Sequence, residues 1–468
     1  MKEKEKVQTV SFSDNIFIFR FLAIFLLIYI ICPRKYRNLC ILSGSLLFYW
    51  MNDSKYLWLL IISLVFNYLG LIFVHKEKSK KALIVTIVFD VATLFVFKYW
   101  NFGVTNINTM LHHNLLPVLQ VALPLGISFY TFQNISILID CYKEENGKKI
   151  SFLEYAMFIT MFPHILSGPI FSYPDMRQEL KCRNISMASM NQGFRMFVMG
   201  LGMKVLLSNK IETLWNSIQM AGTIGICAPI AWLGAIAYSF QIYFDFAGYS
   251  LMAIGIGKML GFHFPENFRY PYCASSISDF WRRWHITLGK WFTKYIYIPL
   301  GGNRKGKLRT VFNIFVVWSL TGIWHGASWN FVIWGISFFV FIAIEKLFLG
   351  KWLERSKVIG HLYVIFLIPI SWVVFAISDF TTLKQYLGSM FGHTSGKVLM
   401  GMSQFQNYVH TYWWLLLICI IFATPLPYNL FRKQRQKPWM IAILVGIFFL
   451  SVYEILKGSS NPFLYFNF

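Results

Sequence analysis

Apolar runs about as long as a membrane is thick recur along almost the whole chain, and they leave few folds open. A helix needs about 20 apolar residues to cross roughly 30 Å of hydrocarbon. Runs of this kind cover 15–32, 37–52, 56–74, 82–100, 117–140, 193–215, 228–257, 310–326, 329–345, 358–378, 411–430 and 438–457. We therefore expect an all-α, polytopic membrane protein with roughly 11–12 transmembrane helices. Composition agrees. Of 468 residues, 56% are hydrophobic and 13% are charged, where a soluble protein carries about 25% charged residues. A soluble domain could not hide so much apolar surface, but a bilayer can. Length alone would allow about three soluble domains. Successive spans pack together instead, so residues 1–468 read as a single membrane-embedded domain.

The first run is followed by Pro33, Arg34 and Lys35 rather than by a small-residue cleavage site, so it reads as a retained span. Orientation follows from the loops. Residues 33–38 carry Arg34, Lys35 and Arg37, and 75–81 carry Lys76, Lys78, Lys80 and Lys81. The next loop on that side holds Lys143, Lys148 and Lys149. Of the alternate loops, 52–55 has only Lys55 and 101–116 has no Lys or Arg. Basic loops stay in the cytoplasm, so the N-terminus is expected outside, despite Lys2, Lys4 and Lys6, which alternate with Glu3 and Glu5. The 432–437 loop then lies inside, the C-terminus lies outside, and the number of spans is even. The formal net charge of +23 would point to nucleic acid on a soluble protein. Here it sits in short loops, where anionic lipid head groups are the expected partner. A basic cytoplasmic face also suits an anionic donor such as a coenzyme A thioester.

Two segments look membrane-associated without spanning. Residues 151–173 are broken by Pro163, Gly168 and Pro169, with Pro174 following. Residues 277–300 interleave Trp281, Arg282, Arg283, Trp284, His285, Lys290, Trp291, Lys294, Tyr295 and Tyr297, as an interfacial helix does. Broken backbone at membrane depth is tolerated where protein or a water-filled cavity satisfies it. A cavity on the cytoplasmic side is therefore expected. The seven cysteines form no C-x-x-C, so neither a metal site nor a disulfide framework is indicated. Walker A, dinucleotide, H-E-x-x-H and G-x-S-x-G patterns are missing as well.

The strongest local feature is SLTGIWHGASWN at 319–330, which interrupts an apolar stretch from Thr310 to Phe348. His325 is 16 residues from Arg309, about 24 Å along a helix. That places it at the midplane or in the outer half of the bilayer. Gly322, Gly326 and Ala327 permit close backbone approach and a bend. An ionisable side chain at that depth marks a functional site by default. A neutral imidazole can take a proton from a hydroxyl and return it. The competing readings are a histidine hydrogen-bonded between helices, or one in a wet extracellular turn. His285, in DFWRRWHIT at 279–287, is equally compatible with an ordinary interfacial histidine. Arg282 and Arg283 can hold head groups or donor phosphates through their planar forks. Asp245, in YFDFAGY at 243–249, should face a cavity or a cation, either to orient a histidine or an arginine or as a buried structural pair.

At this point the chain resembles the membrane-bound O-acyltransferase family, and within it the bacterial alginate O-acetyltransferase branch. The resemblance is carried by LPLGISFYTFQ (123–133), MFPHILSGPI (161–170), DFAGYS (245–250), GFHFPEN (261–267), DFWRRWHITL (279–288), IPLGGNR (298–304) and LTGIWHG (320–326). His164 stands where the family pattern has Gln. The blocks place the motif-bearing core at about residues 120–345, with peripheral helices at 1–119 and 346–468. The resemblance implies that His325 is the catalytic histidine and His285 the second active-site histidine, with Asp245, Arg282, Arg283, Trp284, Trp324 and Asn330 binding substrate. It implies re-entrant segments around a central cavity open to both sides. It also implies a multi-pass protein of the bacterial plasma membrane that binds no resident cofactor. The donor would be an acyl thioester, either acetyl-CoA or a carrier-bound acyl group, entering from the cytoplasm. The acceptor would be a hydroxyl of an extracytoplasmic polysaccharide or cell-wall glycan. It would be reached directly or through an extracytoplasmic esterase-like partner or a glycan synthase. Teichoic-acid D-alanyl transfer proteins share the two histidines, but the chain's length and the 299–304 block favour acetyl transfer. A D-alanyl or longer-chain acyltransferase and an export channel without acyl chemistry are the alternatives.

Overall fold

The structure is a computed structural model that describes residues 10–144, 149–166, 168–221, 225–393, 398–458 and 463–464. Both chain ends lie outside the described residues, as do Lys2, Lys4, Lys6 and Lys148 of the charge pattern. The described residues are overwhelmingly helical and contain no strand, only an isolated bridge between Ile226 and Met400. Among the described residues, six helical stretches are long and apolar enough to cross a membrane: Arg34–Glu77, Lys80–Leu111, Trp329–Arg355, Lys357–Ala376, Met402–Phe422 and Pro438–Leu456. Ile16–Ile31 is a shorter apolar helix. The all-α polytopic architecture expected from the sequence is the one observed.

These helices are inside out relative to a soluble protein. In Lys80–Leu94 the buried side chains are Thr86, Asp90 and Leu94, while Ile84, Val85, Val88 and Val91 are exposed. In Leu57–Glu77, Ser63 and Asn67 are buried, and Trp58, Ile61, Ile62, Val65, Phe66, Leu69 and Phe73 face outward. Polar groups pair inside, and apolar groups meet a solvent that is itself apolar.

Several boundaries differ from the hydropathy reading. Arg34–Glu77 has 44 residues, about 66 Å of helix, which is twice the hydrocarbon thickness. It breaks at Asp53 (φ −151°, ψ 63°), as the two separate runs had implied. The 101–116 segment, expected as a loop, is helical as far as Leu111. The expected span at 117–140 is helical only from Ile127. Two asparagines explain the non-helical part before it. Asn101 exchanges hydrogen bonds with the N–H and C=O of Leu119 (both 2.8 Å). Asn108 does the same for Leu116 (3.2 and 2.9 Å). The run at 411–430 lies on Met402–Phe422, which stops before Pro425.

The chain divides into two compact units. The first comprises Met1–Phe197, Ser250–Pro265 and Tyr465–Asn467, and the second Val198–Tyr249, Glu266–Leu464 and Phe468. The first unit is built on an aromatic cluster in which Phe162 stands edge-on to Phe21 and Phe25, 5.2 Å from each. It contains the LPLGISFYTFQ and MFPHILSGPI blocks, and one glycine couples them. Gly126 has φ +70°, and a Cβ there would sit 2.5 Å from the carbonyl oxygen of Ile165. Phe129, Tyr130 and Phe132 are buried packing residues. His164 is also buried and donates from Nε2 to the Phe158 carbonyl at 2.7 Å. Asp90 accepts from Asn67 at 2.7 Å, so this intramembrane acid belongs to a polar knot.

In the second unit, Lys307–His325 and Trp329–Ile344 form a helical hairpin. Their crossing is a glycine contact. A Cβ on Gly335 would lie 2.5 Å from the Trp318 carbonyl oxygen and 3.0 Å from Gly322 Cα. Small residues let backbones meet this closely where lipid supplies no hydrophobic drive. Lys357–Ala376 packs on the second arm of the hairpin. The 277–300 segment is two short helices, Ile277–Arg283 and Ile286–Phe292, continued by a turn to Tyr297. Trp284, Trp291 and Tyr295 are buried in protein, while Arg282, Lys290 and Lys294 are exposed.

Candidate active site

His325 is the last residue of the Lys307–His325 helix. Gly326 leaves the helix extended (φ −172°, ψ 160°), and Ser328 precedes the next helix at Trp329. The bend expected from Gly322, Gly326 and Ala327 is therefore present, with His325 at its near edge. The helix has 19 residues, about 28 Å, so His325 lies a full membrane depth from Lys307. It is only 4% exposed, which disfavours a wet turn. Its ring stands edge-on to Trp334 at 5.0 Å and to Phe375 at 5.2 Å, and meets Trp324 at 5.0 Å.

His285 reaches the same tryptophan. Its ring centroid is 6.2 Å from Trp324 and 4.7 Å from Phe246, and it is 2% exposed. It sits in the break between the two short helices, with φ 43° and ψ 52°. A left-handed conformation is uncommon for a residue with a Cβ. The cost is met by hydrogen bonds from one asparagine. Asn267 Oδ1 lies 3.1 Å from His285 Nδ1 and accepts from the Thr287 N–H (3.2 Å) and hydroxyl (2.9 Å). The Asn267 carbonyl accepts from the Ile286 N–H at 3.0 Å.

The structure thus brings His285, Trp324 and His325 together, and it sorts the other expected residues. Trp284 is core, packed on Trp372 at 4.8 Å and Phe268 at 5.1 Å. Arg282 and Arg283 both pair with Asp279, at 3.4 and 3.0 Å, and the Arg282 side chain is 70% exposed. Asn330 is buried, and its amide donates to the Phe375 carbonyl at 2.9 Å. It caps the end of Lys357–Ala376, where carbonyls lack helical partners. Asp245 faces a cation, as one reading required. It forms a buried ion pair with Lys204, and its other oxygen accepts from the Leu464 N–H at 3.0 Å.

Sequence reasoning missed three residues. Lys204 carried a signal, since it is the charge at the middle of the 193–215 run, with Arg195, Lys210 and Glu212 nearer its ends, and it is opposite in sign to Asp245. Asn267 was visible only as part of a motif. Glu345 had no signal beyond its position at a span end. Buried, it accepts from Ile277 N–H (2.5 Å), Ser278 N–H (2.9 Å) and the Ser278 hydroxyl (2.6 Å). It thereby fixes the start of the helix that leads to His285.

Comparison with known proteins shows the family of the chain. The sequence model of the MBOAT, membrane-bound O-acyltransferase family, matches residues 46–381, which include both histidines. A Pseudomonas putida protein named probable alginate O-acetylase AlgI is 34% identical over 98% of this chain and 100% of its own length. The Helicobacter pylori peptidoglycan O-acetyltransferase is 31% identical over 99% and 98%. The Bacillus subtilis teichoic acid D-alanyltransferase is 26% identical over 60% of this chain and 73% of its own. A multi-pass helical bundle with two imidazoles buried on one indole therefore has its relatives among acyl-transferring enzymes, and the chain belongs to the membrane-bound O-acyltransferase family.

Proposed function

We propose that the protein moves an acetyl group from a cytoplasmic thioester to a hydroxyl of an extracytoplasmic polysaccharide or cell-wall glycan, with His325 as general base. The observation that carries this reading is the pair of buried imidazoles on Trp324, His285 at 6.2 Å and His325 at 5.0 Å. Acyl transfer needs a base that is neutral and shielded. The acceptor oxygen attacks the thioester carbonyl carbon as the imidazole takes the hydroxyl proton. The C–S bond then breaks, and the imidazolium returns the proton to the leaving thiolate. Trp334 and Phe375 close around the ring and keep out water, which would otherwise take the acyl group.

Donor phosphates suit the exposed Arg282 fork, with Arg283 behind it. His325, a helix length from Lys307, suits an acceptor arriving from the other face. The chain would then lie in the bacterial plasma membrane with its basic loops inside and both termini outside. Among the described residues no large soluble segment is left to hold a polymer, so an esterase-like extracytoplasmic partner or a glycan synthase would present the acceptor. The two O-acetylating relatives support acetyl over D-alanyl transfer. Mass spectrometry of the modified polymer separates these groups.

The test is His325→Ala expressed in the native host, with bound acetate on the envelope polymers measured by mass spectrometry. Acetylation should vanish while the protein stays folded in the membrane. Wild-type acetylation by this variant would sink the assignment.

A further inference from the structure

Three partners converge on one oxygen beside His285, and their chemistry fixes a proton. Asn267 Oδ1 receives the Thr287 N–H at 3.2 Å. A backbone N–H can only donate, so this contact sets which end of the amide faces the turn. The third neighbour, His285 Nδ1 at 3.1 Å, then faces an acceptor and must carry its hydrogen. A neutral imidazole has one N–H, so Nε2 is left with the lone pair. That nitrogen is buried and has no hydrogen-bond partner. The rings against His285 are Phe246, Phe268 and Trp324, none of which ionises.

We propose that Asn267 is a positioning residue that locks His285 in the Nδ1–H form, so that Nε2 is presented as a bare acceptor to the hydroxyl or thiol of the transfer reaction. The proposal rests on the reading of His285 as an active-site histidine, and it adds the device that makes the ring usable. Without the lock the proton would be shared between the two nitrogens, and the ring could swivel out of its left-handed turn. Asn267 also holds Ile286 through its own carbonyl (3.0 Å), so the same residue sets both the backbone of the turn and the tautomer. The closest precedent in principle is the orientation of a working histidine by a group on its other nitrogen.

The experiment uses the full chain in lipid bilayers. With 15N-labelled histidine, the signals lost in His285→Gln identify this ring among the ten. The wild type should show a protonated Nδ1 and an unprotonated Nε2. The opposite tautomer would overturn the proposal without any assay of activity. Kinetics then follow thiol release from acetyl-CoA. Asn267→Leu should lower kcat about 100-fold, the size of a lost acid–base contribution, with KM for acetyl-CoA changed by less than about twofold. Asn267→Asp keeps an acceptor for Nδ1–H and should regain most of kcat. Its carboxylate favours the imidazolium, so the acidic limb of the kcat profile should move to higher pH. Wild-type kcat in Asn267→Leu, or no recovery in an Asn267→Asp that shows the Nδ1–H signal, would also overturn the proposal. Failure of the wild type to release thiol would count against the donor reading, and the spectrum would still decide the tautomer.

Discussion

Replacing Lys204 by Met tests whether the second unit depends on its buried ion pair. The Lys204 and Asp245 side chains are 3% and 1% exposed. Met matches the length of the Lys stem, so the change removes charge rather than volume. It leaves the Asp245 carboxylate with the Leu464 N–H as its hydrogen-bond partner (3.0 Å). Removing one member of a buried pair costs about 3–5 kcal/mol, because the other charge is stranded. At about 1.4 kcal/mol per decade, that is roughly a thousandfold in the folded population. Asp245→Asn strands Lys204 instead. The double variant has no charge to strand, and its Asn can still accept from Leu464. It should return to within about 1–2 kcal/mol of wild type. The assay is equilibrium unfolding in mixed micelles titrated with sodium dodecyl sulfate. The coupling energy of the four-protein cycle should be at least about 4 kcal/mol. A coupling below about 1 kcal/mol, the size found for exposed pairs, would refute the reasoning. Acetylation should follow the same order, since Phe246, next to Asp245, packs on His285 at 4.7 Å.

Gly335→Leu should force the hairpin arms apart, because even a Cβ there lies 2.5 Å from the Trp318 carbonyl. The cost should be about 1–3 kcal/mol in the same titration, and acetylation should fall more than in Gly335→Ala; wild-type behaviour would mean the crossing has slack. Glu345→Ala orphans two backbone N–H groups and the Ser278 hydroxyl and should destabilise by about 2–4 kcal/mol. Glu345→Gln keeps one acceptor and should cost about half as much, so equal losses in the two variants would count against this role.

Hydropathy made the helices legible because a bilayer enforces a simple rule on length and polarity. It failed where side chains replaced that rule. Asn101 and Asn108 satisfy part of the non-helical stretch before Ile127, and no apolar count registers such a bond. The aromatic segment at 277–300 was ambiguous for a related reason. Trp and Tyr beside Arg and Lys fit an interface and a protein core equally well. Only the turn at His285, which swings Trp284 onto Trp372, decides between them. His325 was legible because a titratable ring in an apolar run is costly. The residues that hold the second histidine, His285, in place were not. Asn267 and Glu345 act through hydrogen bonds made across 18–20 and 67–68 residues of chain, and such pairings leave no local pattern.

The two histidines share a structural reason for being where they are. Within a helix, a ring is hemmed by the turns above and below it and is aimed sideways. At a helix break, one of those turns is missing. His325 ends its helix at Gly326, and His285 lies between Arg283 and Ile286 as the left-handed link. In water such breaks are cheap. In hydrocarbon each one exposes backbone groups that must find partners. Asn267 supplies them at the first break, and Asn330 binds the neighbouring helix end beside the second. The breaks and the buried imidazoles are therefore one feature. The chain gives up helical bonds at the two points where a ring has to reach a common neighbour, Trp324. Asn267, which repairs the first of those points, belongs to the candidate site as much as the rings do.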